Sequence, residues 1–394
     1  MEYRILGRTG MKVSAIGIGG EGFENKRYED CEAMIDCAVR EGINLIDLYN
    51  SNPEVRSNVG KALSRYPRSG FVIEGHLGSA WDRGQYRRTR DIHEVVAAYE
   101  DLFARMHIDS VDIGMIHYVD DPKDFEAVFA GAILRYAREL KEKGLVKALG
   151  ISTHNPDIAF RAVATGIIDV ILFSINAAYD MLPASEDVDL LFEESTFKNR
   201  TYEGIDPKRD RLYRTCENAG VALTVMKGYA AGVLLSERQS PFEKALTPVQ
   251  CLHYCLTRPA VASVVVGVSD AQQILAATAY VTASEKAKDY SEVLAHARGG
   301  SFSGHCMYCG HCAPCPNQID IAAVNKYLDL AVIQETVPET LQNHYHLLEH
   351  RADACIACGS CMKNCPFGVD VIAKMKQAVE LFGNEPSAGH QLQN

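Results

Sequence analysis

The sequence predicts an eightfold β/α barrel of parallel strands, followed by a smaller helix-rich domain that carries cysteines in two runs. Three observations support this prediction. Short β-branched apolar runs recur through about the first 270 residues, stretches with helical periodicity separate these runs, and eight of the 13 cysteines lie between Cys306 and Cys365. A doubly wound open sheet is the alternative for the first part of the chain.

Eight apolar runs are candidates for the barrel strands. Most are apolar at nearly every position, which is typical of parallel strands buried on both faces. The runs are Val13–Gly19, Asn44–Leu48, Phe71–Glu74, Val111–Ile116, Val146–Ile151, Val170–Ile175, Val221–Met226 and Ser263–Val266. Helical periodicity between them, for example over Tyr28–Glu41 and Phe125–Lys143, predicts helices that cover the barrel.

Polar residues stand at the ends of these predicted strands. They are Asp47, His76, His117, Ser152, Thr153, His154, Asn176, Lys227 and Ser269. Active sites in this fold lie at the carboxyl ends of the strands, where the loops that follow the strands meet. A single residue of this kind is more often a hydrogen-bonded rim residue. Three histidines and an aspartate at equivalent positions favour a functional site.

The strand pattern stops near residue 270. Residues 271–297 have helical character, and residues 299–304 form a junction rich in glycine and serine. We therefore expect a barrel domain over residues 1–298, a second domain over residues 299–384, and a disordered tail over residues 385–394.

The composition excludes several classes of protein. With 47% hydrophobic and 23% charged residues, the chain is an ordinary globular protein. A net charge of -11 opposes binding to nucleic acid or to an anionic membrane. The sequence also shows no signal-peptide pattern and no apolar stretch of about 18 residues. We expect a cytoplasmic protein with neither nucleic acid nor membrane as a partner.

The two cysteine runs have the spacing of iron–sulfur ligands. In each run, three closely spaced cysteines precede a fourth that is followed by proline, a pattern in which the fourth cysteine ligates the other of two clusters. The runs are Cys306-x2-Cys309-x2-Cys312-x2-Cys315-Pro316 and Cys355-x2-Cys358-x2-Cys361-x3-Cys365-Pro366. The predicted ligand sets for two 4Fe-4S clusters are Cys306, Cys309, Cys312 and Cys365, and Cys355, Cys358, Cys361 and Cys315. Two zinc ions without a redox role are the alternative.

Short motifs along the barrel part share the spacing of one known family. They are Tyr3-Arg4-x-Leu6-Gly7-Arg8-Thr9-Gly10-x2-Val13-Ser14, Gly42-x4-Asp47, Val59-Gly60-Lys61-Ala62-Leu63, Asp112-x4-His117, Lys143-Gly144-x2-Lys147-x2-Gly150-Ile151-Ser152, Met226-Lys227 and Gly267-x-Ser269. With these motifs the sequence resembles the aldo/keto reductases, specifically the branch with a C-terminal ferredoxin-like domain for two 4Fe-4S clusters. The resemblance implies a barrel whose N-terminal end is plugged by a short hairpin.

The resemblance also implies a catalytic site, from which this sequence departs. The family reduces carbonyl groups with an Asp, a Tyr as general acid, a Lys that lowers the pKa of that Tyr, and a His. Asp47 and His117 stand at the Asp and His positions, whereas the Tyr position falls on Asn52 and the Lys position on His76. Tyr49 is the neighbouring candidate for the Tyr. Because imidazoles titrate near neutrality, we expect His76 and His117 to share proton delivery, with Asp47 orienting one of them.

The family's nicotinamide pocket is altered as well. Its glutamine is Leu172 here, and the proline after Met-Lys is Gly228. The residues that remain as candidate cofactor contacts are Ser152, Thr153, Gly267 and Ser269. These departures favour a reductant other than NAD(P)H, but NAD(P)H binding stays open as an alternative, and the sequence does not decide whether a flavin takes part.

Three functions are compatible with these features. The first is an oxidoreductase in which two 4Fe-4S clusters pass electrons between a ferredoxin- or flavodoxin-like carrier and a small organic substrate at the barrel mouth. The second is an NAD(P)H-dependent carbonyl reductase with an altered set of catalytic residues. The third is a non-catalytic electron-transfer subunit, which is disfavoured because an inert barrel has no need of Asp47 and His117. In the first case, we expect the cysteine-rich domain to fold back over the barrel mouth.

Overall fold

A computed structural model describes residues 1–82, 84–182, 202–295, 300–301, 304, 306–308, 310–332, 334 and 336–383. The predicted boundary between residues 298 and 299, the predicted tail at 385–394 and the predicted ligand Cys309 lie outside these described residues.

Eight parallel strands form a closed barrel, which confirms the predicted fold class and excludes the open sheet. The strands of the described residues are β1 (Tyr3–Ile5), β2 (Lys12–Ser14), β3 (Ile16–Gly19), β4 (Leu45–Leu48), β5 (Val72–Leu77), β6 (Ser79–Asp82), β7 (Gln85–Arg88), β8 (Val111–Ile116), β9 (Val146–Thr153), β10 (Val170–Ser174), β11 (Tyr202–Glu203), β12 (Ala222–Met226), β13 (Val261–Val266) and β14 (Gly300–Ser301). The barrel order is β3-β4-β5-β8-β9-β10-β12-β13, and β13 pairs with β3 to close it.

Helices cover the outside of the barrel and form most of the C-terminal part. They are α1 (Tyr28–Arg40), α2 (Pro53–Leu63), α3 (Ile92–Met106), α4 (Pro122–Ala130), α5 (Ala132–Glu142), α6 (Pro156–Ala164), α7 (Pro207–Asn218), α8 (Pro248–Leu256), α9 (Ala271–Thr278), α10 (Glu285–Lys288), α11 (Ser291–Leu294), α12 (Ile321–Ala331), α13 (Glu339–His346), α14 (Ser360–Asn364) and α15 (Val371–Phe382). Among the residues described, no helix is both long and apolar enough to cross a bilayer.

The lower half of the barrel interior is apolar and closed. The antiparallel hairpin of β1 and β2 covers the N-terminal end of the strands, and its residues Leu6 and Val13 pack against the inward side chains of Leu45, Val72 and Ile113. In β4 and β5, the inward-facing polar side chains lie above this apolar layer. The ionisable groups of these two strands are therefore near the carboxyl ends of the strands. The predicted hairpin plug is therefore present.

The cysteine-rich segment (described residues from 300 to 383) contacts the flank of the barrel. The guanidinium of Arg258 donates a 2.6 Å hydrogen bond to the Met307 carbonyl, and Lys326 pairs with Glu217 at 2.8 Å. These contacts involve α7 and the residues that follow α8, on the side of the barrel opposite β5. We expected this segment to lie over the barrel mouth. The described contacts do not place it there, because its polar partners are on the outer helices.

Arg258 provides a test of this attachment. The side chain is only 3% exposed and also donates from Nε to the Tyr254 carbonyl. Arg258→Leu removes the closer of two donors to the buried Met307 carbonyl, the other being the Tyr290 hydroxyl at 3.3 Å, so we expect a loss of about 2 kcal/mol in stability and faster proteolytic release of the cysteine-rich segment. Thermal unfolding and limited proteolysis measure both effects. The exposed Arg238→Leu is the control, and equal behaviour of the two variants would contradict this role for Arg258.

Candidate active site

Four side chains form a continuous hydrogen-bonded row at the upper end of the barrel. Nε2 of His76 lies 2.7 Å from Oδ1 of Asp47, and Nδ1 of His76 lies 2.8 Å from Nδ1 of His117. Nε2 of His117 lies 2.5 Å from the hydroxyl of Tyr86. We call these four residues the polar row. The structure thus brings Asp47, His76 and His117 together at the predicted place and adds Tyr86.

The strands position the row through their shared register. Asp47 is in β4, His76 is in β5, and His117 follows β8, and these three elements are neighbours in the barrel. Side chains two residues apart in a strand point to the same face, so Glu74 and His76 both face the interior. The predicted third strand ended at Glu74, but β5 continues to Leu77. His76 is therefore an inward strand residue rather than a loop residue.

Burial keeps the His117 imidazole neutral. Burial, followed by the neighbouring His76 and Arg90, lowers the pKa of His117 well below 6.5. A neutral imidazole has one N–H, so with His76 neutral as well the row has two complete arrangements. In one, Tyr86 donates to His117, His117 to His76, and His76 to Asp47. In the other, every donor is reversed and a proton on Asp47 begins the row.

The second arrangement contains one proton more than the first. In it, the Tyr86 hydroxyl accepts from His117 and its own hydrogen is free to point into the open space above the barrel. Going from the second arrangement to the first releases one proton at Tyr86. Returning to the second arrangement requires Asp47 to be protonated again. This geometry can deliver a proton to a bound molecule without placing a charge on either imidazole.

Tyr86 was missed by the sequence analysis. It lies in the β-hairpin of β6 and β7, which follows β5 directly, and Trp81 is its cross-strand partner. The segment around Gly84 lies outside the eight predicted strands, so the sequence offered no reason to single out its side chains. Alternation on both sides of Gly84 could have predicted the hairpin, but not which of its rings reaches His117. Trp81 does not line the cavity described below.

Ion pairs hold the hairpin and the row in place. Nε and Nη2 of Arg90 donate to the Asp124 carboxylate at 2.8 and 2.7 Å, and Nη2 also donates to the His117 carbonyl at 2.9 Å. Arg87 pairs with Glu94 at 2.8 Å. The arginines near this loop therefore brace the protein itself, and their arrangement fixes the backbone that carries His117.

Tyr49 lines the site with its ring. The ring stacks on that of His117, with centroids 5.9 Å apart and an interplanar angle of 10°, and it meets Tyr86 edge to face. Burial, reinforced by the acidic side chain of Glu21, raises the pKa of the Tyr49 phenol well above its usual value. Burial also raises the pKa of Tyr86. Both phenols are protonated at neutral pH.

A cavity of about 710 Å³ opens above the polar row. Its lining includes all four members of the row, and it extends across the mouth to the loops after β12 and β13. The other lining residues are Gly19, Glu21, Tyr49, Tyr118, Ser152, His154, Leu172, Met226, Lys227, Gly228, Tyr229, Ala231, Gly232, Leu235, Pro248, Val264, Val265, Val266, Gly267, Val268, Gln273 and Ala276. The cavity is large enough for a small organic molecule beside a cofactor-sized group.

Only some of the predicted cofactor contacts line this cavity. Ser152 and Gly267 line it, although the Ser152 hydroxyl already accepts a 2.7 Å hydrogen bond from the Tyr118 amide. Thr153 is fully buried and donates its hydroxyl to Asp120 at 2.7 Å, so it supports the structure and does not face the cavity. Ser269 lies outside the lining as well, and its amide donates to Gln273.

His154 is a further ionisable group on the cavity wall. Its Nδ1 lies 2.8 Å from Oδ2 of Asp120. Burial opposes ionisation of Asp120, but hydrogen bonds from His154 and Thr153 outweigh it and hold the pKa of this carboxyl below 3.8. The pair orients the His154 ring at the opposite side of Tyr118 from the polar row.

Four of the predicted cluster ligands surround one small cavity. Cys315 from the first run and the three cysteines Cys355, Cys358 and Cys361 from the second run all line it, together with apolar residues of α12 and α15. This is the crossed set expected from the spacing. Cysteine thiolates in an apolar shell are the donors that 4Fe-4S clusters use, so these residues fit that group.

The described members of the other ligand set lie beside the apolar core. Cys306, Cys312 and Cys365 are each partly buried against it, and the amide of Asn325 donates to the Cys306 sulfur at 3.3 Å. The two runs are also tied together, because Asn364 donates to the Ala313 carbonyl. An N–H donor to a ligand sulfur is typical of iron–sulfur sites.

Two family models match the chain. Residues 15–298 match the aldo/keto reductase family, and residues 349–369, which contain the second cysteine run, match the 4Fe-4S binding domain.

Two related proteins and one solved structure are also similar to this chain. The chain is 26% identical to L-galactose dehydrogenase of Arabidopsis thaliana over 309 residues, which cover 72% of this chain and 89% of that protein. It is 24% identical to D-threo-aldose 1-dehydrogenase of Pseudomonas sp over 244 residues, or 52% of this chain and 72% of that protein. The holo form of aldo-keto reductase AKR11C1 from Bacillus halodurans superposes with a TM-score of 0.56 at 21% identity, covering 77% and 99% of the two chains.

The protonation of His117 can be tested directly. At about pH 6.5 an ordinary imidazole is half protonated, but we expect His117 to remain neutral because it is buried beside His76 and Arg90. Nitrogen-15 NMR of histidine-labelled protein should show one neutral imidazole that is absent from His117→Gln. Tyr86→Phe removes the hydrogen-bond partner of Nε2 and should shift that signal. A doubly protonated His117 at this pH would contradict the proposed row.

Proposed function

The chain belongs to the aldo/keto reductase family, and from this we propose that it is an iron–sulfur oxidoreductase that reduces a small carbonyl compound in the cavity with electrons from a low-potential carrier. The observation that carries this proposal is the polar row, which ends at a phenol facing the cavity. Such a row supplies protons separately from electrons. A reductant that delivers single electrons requires this separate supply of protons.

The polar row performs the proton step with groups of this chain alone. The carbonyl oxygen of the substrate takes the Tyr86 hydrogen, and Tyr86 takes one from His117. His117 is restored from His76, and His76 from Asp47. Each donor–acceptor distance in the row is between 2.5 and 2.8 Å, so every transfer is within hydrogen-bond reach.

The wall of the cavity supports a reductant other than a nicotinamide. Leu172 offers no hydrogen bond where the family has a glutamine, and Ser152 already accepts from the Tyr118 amide. A carboxamide placed there would meet an apolar side chain and one occupied hydroxyl oxygen. These contacts favour an organic substrate in this part of the cavity.

The cysteine-rich segment would supply the electrons. We propose two clusters, one held by Cys315, Cys355, Cys358 and Cys361 and the other by Cys306, Cys309, Cys312 and Cys365. Clusters of this type take up and release single electrons when bound. Among the described ligands of the second run Cys358 is exposed, whereas Cys306 lies near the barrel flank next to Met307. This difference favours approach of a carrier from the side of Cys358.

A second candidate function is an NAD(P)H-dependent reductase or dehydrogenase. One observation favours it: the cavity lining includes the predicted cofactor contact Gly267 and continues to Gln273 and Ala276. Two relatives of the chain are named as sugar dehydrogenases. Sugar aldehydes and lactones are therefore the carbonyl compounds that we would test first under either function.

The cluster proposal predicts the metal content. Protein purified without oxygen should hold about eight iron atoms and eight acid-labile sulfides per chain. Cys358→Ser and Cys312→Ser should each lower the content by about half, because they belong to different ligand sets. Two zinc ions per chain with no visible absorption would show that the runs bind zinc instead.

If the clusters supply the electrons, a reduced carrier should support the reaction and a nicotinamide alone should not. Reduced ferredoxin should be oxidised when aldehydes, ketones or sugar lactones are added, and NADH or NADPH alone should reduce none of them. Cys306→Ser should abolish the reaction with a folded barrel, and His117→Gln should slow it by about 100-fold. Cys251→Ser, a buried cysteine of α8, is the matched control.

The same experiment separates the two candidate functions. Full activity of Cys306→Ser with NADPH would overturn the electron route and establish the nicotinamide function. Oxidation of ferredoxin by the wild type but not by Cys306→Ser would exclude the nicotinamide as the required reductant.

A further inference from the structure

His154 and Asp120 form a pair at the cavity wall that the proton step above does not use. His154 follows β9 and lines the cavity, and its side chain is 14% exposed. Its Nδ1 lies 2.8 Å from Oδ2 of Asp120. In the part of the chain that the structure describes, the other ring nitrogen, Nε2, has no hydrogen-bond partner and is not buried. Nε2 is therefore the polar atom that His154 offers to the cavity.

The contacts of Asp120 determine which nitrogen of His154 carries the hydrogen. The Thr153 hydroxyl and the His154 amide both donate to Oδ1 of Asp120, at 2.7 and 2.6 Å. Burial opposes ionisation of Asp120, but these hydrogen bonds and the His154 ring keep its pKa below 3.8, so it is a carboxylate at neutral pH. A carboxylate only accepts hydrogen bonds, so Nδ1 donates to it. A neutral His154 then has its hydrogen on Nδ1 and a free lone pair on Nε2.

Tyr118 separates this acceptor from the polar row. Its ring meets the His117 ring with centroids 6.2 Å apart and the His154 ring with centroids 5.5 Å apart, edge to face in both cases. Tyr118 lines the same cavity as Tyr86 and His117. A molecule whose carbonyl oxygen meets Tyr86 therefore reaches Nε2 of His154 only with a group that lies several bonds away from the carbonyl.

We propose that His154 is a substrate-binding residue whose Nε2 accepts a hydrogen bond from a hydroxyl group of the substrate. The inference rests on the proposed function and names its substrate class, which is a carbonyl compound with a hydroxyl several bonds away from the carbonyl group. Asp120 does not touch the substrate. It is a positioning residue, because it sets the tautomer of His154.

The acceptor selects for the hydrogen of the hydroxyl. An ether oxygen has lone pairs and no hydrogen, so it would face the lone pair of Nε2 without forming a hydrogen bond. A compound that has neither group leaves Nε2 unpaired when it displaces water from the cavity, which disfavours its binding. One hydrogen bond between neutral groups accounts for a preference of about tenfold.

Binding of three related ketones tests this preference without carrier or electrons. Raspberry ketone has a phenolic hydroxyl on the far side of its ring from the carbonyl chain, anisylacetone is its methyl ether, and benzylacetone has neither group. We expect raspberry ketone to bind about tenfold more tightly than the other two in calorimetry. Equal affinities of the wild type for the three ketones would overturn the proposal.

Nitrogen-15 NMR of histidine-labelled protein reads the tautomer directly. At about pH 8, where an ordinary imidazole is neutral, we expect the His154 signals to show a hydrogen on Nδ1 and none on Nε2. Raspberry ketone should shift the Nε2 signal more than anisylacetone does. A hydrogen on Nε2 of the wild type under these conditions would contradict the proposed acceptor.

Asp120→Asn reverses the tautomer. The Thr153 hydroxyl and the His154 amide keep the oxygen of the new amide at the position of Oδ1, so its NH2 group faces Nδ1 of His154. Nδ1 must then accept, and the ring hydrogen moves to Nε2. We expect this variant to lose the preference for raspberry ketone over anisylacetone, because an Nε2–H group can donate to either oxygen. An unchanged preference would refute the role of His154 as an acceptor.

His154→Phe keeps an aromatic ring beside Tyr118 and removes the acceptor. It should bind the three ketones with equal affinity. The control is His93→Phe, the same change at an exposed histidine of α3, which should keep the wild-type preference. The NMR measurement and Asp120→Asn test the acceptor even where His154→Phe does not fold.

Turnover with a reduced carrier separates this inference from the proposed function. His154→Phe should raise KM for raspberry ketone about tenfold with little change in kcat, and it should leave KM for benzylacetone unchanged. Selective binding of raspberry ketone without its reduction would refute the proposed function and leave the His154 site standing. Reduction of all three ketones with equal KM would support the proposed function and refute the site.

Discussion

The site depends on one constraint: ionisable groups buried in a barrel must find partners among themselves. The hairpin plug and the apolar layer of Leu45, Val72 and Ile113 keep water from the lower interior. In such surroundings an unpaired polar group is strongly disfavoured, so the groups above this layer are joined in a row that ends at Tyr86. Neutral imidazoles satisfy this constraint because each has one donor and one acceptor. The direction of the row can therefore reverse without a buried charge.

The position of the cysteine-rich segment has a consequence for access to the cavity. The segment is attached to the outer helices through Arg258 and Lys326, and these contacts of the described residues lie away from the polar row. A segment folded over the mouth would have to move aside in each turnover. Attachment at the flank separates the surface that receives a carrier from the opening that receives a substrate. Of the residues that line the cavity, Tyr229 lies in the loop after β12 and Pro248 is the first residue of α8.

The sequence predicted most of the fold because parallel strands buried on both faces are nearly all apolar, and this pattern is local. It also predicted Asp47, His76 and His117, since residues at equivalent ends of neighbouring strands meet in a closed barrel. It did not predict Tyr86, because the hairpin register and the reach of its ring depend on contacts with residues distant in sequence. Thr153 stays a predicted cofactor contact, but its hydroxyl donates to Asp120, and a single sequence does not show such pairing. The docking face of the cysteine-rich segment depends in the same way on long-range pairs.

The replacement of a lysine by His76 changes what the neighbouring phenol must do. In the family, an ammonium group lowers the pKa of the catalytic tyrosine so that the phenol can lose its proton. Here burial raises the pKa of Tyr86, so a free phenolate is unfavourable. A phenol that receives a hydrogen from His117 while it gives one away never becomes a phenolate. The same reasoning applies to His117, whose neutral form is favoured by burial and by the nearby Arg90. A row of neutral groups is thus an arrangement in which these residues can move a proton without forming a buried charge. It requires an acid at its inner end rather than a cation beside the phenol.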